Sequence, residues 1–95
     1  MSVLNRYPIL QDYILRRYES QLDLFFFFNA KKNKTWSCPS YIGEVLVALD
    51  GKLSVQDVIK VLADNNPELK LRDIENTFVP IFDFLYSEEF CADGY

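Results

Sequence analysis

The chain has 95 residues, a net charge of −4 and a hydrophobic fraction of 49%, which fits one domain with a real core and leaves no room for a second. The acidic balance argues against nucleic acid as the main partner, because phosphate binding needs a basic face. The longest apolar run, Leu24 to Phe28, is too short to span a bilayer, and the start MSVLNRYPIL is not a secretory signal, so a cytoplasmic protein is expected.

Residues 1–12 read as an extended N-terminal arm. Pro8 forbids a helix through it, while Val3, Leu4, Tyr7, Ile9 and Leu10 can pack on something. Tyr13 to Tyr18 reads as a first strand and Leu22 to Phe28 as a second. The link Asn29 to Lys34 has two asparagines that tolerate positive φ and three lysines that keep it wet. Thr35 to Cys38 reads as a third strand, with Trp36 and Cys38 on one face and Thr35 and Ser37 on the other.

Ser40 is the expected N-cap of a first helix carrying Ile42, Val45, Leu46 and Leu49, with Asp50-Gly51 as its end. Ser54 and Asp57 resemble a capping box that opens a second helix, with Val55, Val58, Ile59 and Leu62 on its stripe. A third helix is predicted from about Leu71 to Glu88, on the spacing of Ile74, Phe78, Ile81, Phe82 and Leu85. Pro80 should either kink or split it. The tail, residues 91–95, should fray. Three strands then three helices give an α+β domain with the helices on one sheet face, spanning residues 13–90.

The second strand leaves almost no polar position, so both of its faces are apolar. A half-buried strand alternates instead. Its outward side needs cover, either from the N-terminal arm or from a partner such as a second copy of the chain.

The chain has no histidine. Cys38 and Cys91 alone make a poor metal site, and free thiols are the expectation; whether the two pair is open. With no histidine base, no glycine-rich phosphate loop and no paired acids, the sequence points away from an enzyme and implies no cofactor.

The stretch YIGEVLVALDGKLSVQDVIKVL, residues 41–62, resembles the PqqD-like domains, also called RiPP recognition elements. The likeness lies in a helix ending in Leu49-Asp50-Gly51, then the Ser54 cap, then a helix with an apolar stripe. The preceding hairpin and the pattern Ile74, Phe78, Ile81, Phe82, Leu85 extend it over roughly residues 13–90. Two features depart from the family: Pro80 within the third helix, and Ser87-Glu88-Glu89-Phe90-Cys91 where a glycine usually ends that helix.

The resemblance implies a winged-helix-like fold and no enzymatic activity. It implies binding of the leader segment of a ribosomally made precursor peptide, and delivery to a modifying enzyme, often a radical S-adenosylmethionine enzyme. The leader would add as a strand beside Lys34, Thr35, Trp36, Ser37 and Cys38, in a groove against the third helix. Open strand edges pair with extended peptides through the backbone. Ile74, Phe78, Phe82 and Leu85 are candidates for the groove wall, with ordinary core as the alternative. Trp36 is either an anchor or a core closure. Lys70 and Arg72 are candidates for meeting leader acids. The outward aromatic face could dock the modifying enzyme. A competing reading is a winged-helix DNA-binding regulator, but the second helix offers only Gln56, Asp57, Lys60 and Asp64 for a groove.

Overall fold

A computed structural model of the chain describes residues 2–94. Met1 and Tyr95, at the ends of the expected arm and tail, lie outside the described residues. The architecture is α+β. Strands β2 (Ile14–Glu19), β3 (Leu24–Asn29) and β4 (Lys34–Pro39) form an antiparallel meander in the order β2-β3-β4. Helices α1 (Ser40–Val47), α2 (Val55–Asn65) and α3 (Leu71–Ser87) follow. A separate antiparallel ribbon pairs β1 (Pro8–Leu10) with β5 (Cys91–Asp93). Among the described residues no helix is long and apolar enough to cross a membrane.

The tail expected to fray is therefore a strand, and the arm is its partner. Side chains explain why the two ends hold together. Arg6 Nη2 donates to Asp93 at 2.9 Å and the guanidinium lies 3.7 Å from the Tyr86 ring centroid. Tyr86 Oη donates to the same carboxylate at 2.9 Å. A single 3₁₀ turn at Val3–Asn5 packs ahead of β1 on α2 and α3.

Register sorts the sheet residues by face. Tyr18, Phe25 and Cys38 share the inner face, as do Arg16, Phe27 and Trp36. Phe27, at 1% exposed, joins Ile42, Leu46, Val55, Ile59, Phe78, Phe82, Leu85 and Phe90 in the core. Asn29 is also buried, and its side chain works at both ends. Its amide donates to the Glu88 carbonyl at 2.8 Å and its oxygen accepts from the Lys32 N–H at 3.0 Å.

The helix boundaries follow local chemistry, with three differences from expectation. Ser40 is the first helical residue and not the cap. Pro39 takes the cap position without a side-chain hydrogen bond, because the strand runs on through Pro39. α1 stops at Val47, before Asp50-Gly51. Gly51 does adopt φ +78°, and a Cβ there would lie 2.6 Å from Gly94 Cα, so it serves the contact between the α1–α2 turn and the chain's end. Pro80 neither ends nor splits α3. Pro80 and Asn76 both lie on the exposed side, where water can satisfy the Asn76 carbonyl that proline leaves unbonded. The Ser54–Asp57 capping box is present in both directions.

α3 ends as many helices do, with a residue in the left-handed region, but here that residue is Glu89 at φ +60°. The Phe90 N–H donates back to the Leu85 carbonyl at 2.8 Å, and the Phe90 ring is fully buried.

α1 approaches the sheet closely through Gly43. A Cβ at that position would lie 2.6 Å from Phe25 Cβ and 2.2 Å from its ring. A clash with Cβ cannot be relieved by rotating the ring. Gly43→Ala should therefore lower stability by about 1–3 kcal/mol, the usual cost of overpacking. Urea unfolding checks this, and a midpoint equal to the parent chain's would show that helix and sheet separate freely.

Candidate functional site: an open strand edge beside an apolar groove

β4 ends the sheet, and among the described residues no strand pairs with its other side. The direction of its backbone groups follows from one bond. The Ser40 N–H donates to the Asp23 carbonyl at 3.1 Å. The Leu24–Pro39 pair is therefore of the non-bonded kind, and bonded pairs alternate from there. Phe25–Cys38, Phe27–Trp36 and Asn29–Lys34 exchange hydrogen bonds. The amides of Thr35 and Ser37 consequently face the open side. Proline at position 39 falls where no ladder bond is lost.

The two sheet edges differ in charge. β2 carries Arg16 and Arg17, both exposed, and charged side chains on an edge discourage pairing. β4 has no charge from Thr35 to Cys38. Lys34 stands at its start, but its Nζ is ion-paired with Glu88 at the end of α3.

Trp36 is half-buried. Its ring centroid lies 5.9 Å from that of Phe27 and 6.0 Å from that of Phe84 on α3. Beside the end of β4, a groove is lined by Tyr41 and Val45 of α1, Leu62 and Asn66 of α2, Leu69, and Ile74 and Phe78 of α3. A continuation adds Asp73 and Thr77. Tyr41, two residues past Pro39 in the chain, is 61% exposed and lines this groove.

The sequence-predicted residues separate into groups. Thr35 and Ser37 are exposed on the edge, and Trp36 is half-exposed beside it. Ile74 and Phe78 are mostly buried but line the groove. Phe82 and Leu85, expected as possible groove wall, are 0% exposed and belong to the core. Cys38 is 3% exposed and faces inward. Lys70 and Arg72 are exposed at the start of α3 and make no ion pair among the described residues. The sequence reading missed Tyr41, Leu69 and Phe84. Each lies off the regular apolar stripe of its helix or in a loop. A large apolar residue off the stripe was the available signal.

Both cysteines are free and buried. Burial pushes the Cys38 thiol up to about 11 and the Cys91 thiol up to about 12, so both stay protonated at neutral pH. Among the described residues no cluster of histidine, cysteine or acids could hold a metal ion.

The β3–β4 turn is clamped to the end of α3. Lys31 and Lys32 reach the Glu89 carboxylate at 2.8 and 2.9 Å. No protein-family model matches the chain, and comparison with curated proteins and with solved structures finds no match.

The clamp has a pH signature. Hydrogen bonds from Lys31 and Lys32 hold the Glu89 carboxyl down to about 2, from an ordinary 4.5. The folded value is the lower one, so the clamp's contribution is complete above about pH 4.5 and is lost as pH falls through about 2. Glu89→Gln should flatten the acid limb of the stability curve over that window. The site is exposed, so added salt should shrink the difference. Parallel curves for parent and variant would show the pairs to be idle.

Proposed function

We propose that this chain is an accessory peptide-binding module that works as the PqqD-like leader-recognition domains do. It binds the leader segment of a ribosomally made precursor peptide by strand addition to β4 and presents it to a modifying enzyme, with a radical S-adenosylmethionine enzyme as the foremost class. It performs no chemistry itself. One observation carries the reading: the edge of β4 is open, uncharged from Thr35 to Cys38, and directed by its Thr35 and Ser37 amides toward solvent. The apolar groove at Tyr41, Leu69 and Phe78 supports it, since backbone pairing supplies affinity and adjacent pockets supply selection. Lys70 and Arg72, exposed in the chain between the groove residues Leu69 and Asp73, suit acidic residues of the bound peptide.

The DNA-binding alternative draws no support from the exposed face of α2. Gln56 and Lys60 share it with Asp64, and phosphate contacts need net positive charge there.

Calorimetry against the two halves of a short precursor peptide encoded beside this chain's gene tests the proposal. Micromolar or tighter binding of the N-terminal half alone is the expected result. Ser37→Pro deletes one outward amide without touching the core, and should weaken that binding by at least tenfold, about 1.4 kcal/mol. Unchanged affinity in a folded Ser37→Pro chain would refute strand addition to β4.

A further inference from the structure

The outer face of the sheet is open, with an apolar centre on β3. Its rows across the strands are Leu15–Phe28–Thr35, Arg17–Phe26–Ser37 and Glu19–Leu24–Pro39. Leu15 is 63% exposed, and Phe26 and Phe28 are only partly covered. The arm that could have covered them pairs with β5 instead. A shallow hollow on this face is lined by Arg17, Glu19, Leu22 and Phe26.

The row ends on β4 are small. Thr35 and Ser37 leave the rims of Phe28 and Phe26 uncovered toward the open edge. A strand added to β4 would sit two strand spacings, about 10 Å, from β3. A leucine- or phenylalanine-sized side chain leaning over a serine or threonine, toward a ring that leans the other way, closes that gap together with it. A serine or alanine does not. A charged side chain there would lose water against an aromatic ring. The β4 side of these rows offers it no opposite charge. On the inner face the same strand would lie beside Trp36 and Phe84.

We propose that the peptide taken up by β4 is apolar on both faces: an unbroken run of large uncharged side chains, with the outward ones seated on Phe26 and Phe28. The bound segment thus repeats the character of β3, not that of an alternating strand. The proposal rests on strand addition to β4, and its test separates the two.

The probe is a peptide selected on the full chain from a random phage-displayed library, then synthesised and titrated by calorimetry. Selected sequences should share a run of consecutive apolar residues. Serine at outward positions should weaken binding about threefold to fivefold each, the scale of one cross-strand contact. Phe26→Ser or Phe28→Ser in the chain should do the same, and the two losses should not add when the paired residues are changed together. Selected peptides that alternate apolar with polar, and bind Phe26→Ser and Phe28→Ser chains as tightly as the parent, would overturn the proposal while Ser37→Pro sensitivity left strand addition standing. Tight binding that survives Ser37→Pro would overturn both. The serine scan of the peptide needs no variant of the chain, so a misfolded Phe26→Ser does not block the decision.

Discussion

The indole of Trp36 stands between Phe27 on the neighbouring strand and Phe84 on α3, and much of the structure depends on that position. Ring contacts run without a break from Tyr18 through Phe25, Phe27, Trp36 and Phe84 to Phe90. The line crosses the inner face of the sheet and reaches the residue that closes the end of α3. Aromatic pairs of this kind add about 0.5–1.5 kcal/mol each beyond simple burial. Trp36 is the joint between sheet and helix, and it is a side-chain joint only. On the side of β4 away from β3, no strand pairs with the backbone among the described residues. The chain thus fixes the position of its open edge without covering it.

A second tether holds the same corner. Lys31, Lys32 and Lys34 on the β3–β4 turn meet Glu88 and Glu89 just beyond α3. Read from sequence, these lysines only kept a turn wet. Their real partners lie more than fifty residues away, a separation that no local pattern reports. Glu89 has a further role. It occupies the left-handed position that glycine often fills at helix ends, where a side chain costs about 1–2 kcal/mol. Glycine would remove that strain and also remove the carboxylate that Lys31 and Lys32 grip.

The regular parts of the fold were legible because their signals are local. The capping box at Ser54, the spacing of Ile74, Phe78, Phe82 and Leu85, and the alternation of Thr35, Trp36, Ser37 and Cys38 each fit within a few residues. Pairing between the chain ends was not legible. Pro8 to Leu10 and Cys91 to Asp93 are too short to declare themselves as strands. The candidate site was legible in its edge and not in its groove. Phe82 and Leu85 share a stripe with Phe78, and tertiary packing rather than the stripe decides that Phe78 lines the groove while the other two are enclosed. Tyr41 carries no mark in sequence beyond being a large aromatic ring in a helix's first turn.

An open edge is a hazard as well as a site, and the two edges of this sheet answer the hazard differently. On β2 the exposed Arg16 and Arg17, the latter ion-paired with Glu19 of the same strand, place charged side chains along the edge, which discourages pairing with another strand. β4 has no such guard between Thr35 and Cys38, and its one lysine is neutralised by Glu88. Its protection is of another kind. It is stopped by Pro39, and that end runs directly into α1. Those features limit how long a strand can pair with it, so they admit a short extended segment more readily than a growing sheet. An edge left neutral from Thr35 to Cys38 and bounded by proline at one end is what the proposed capture of a peptide would require.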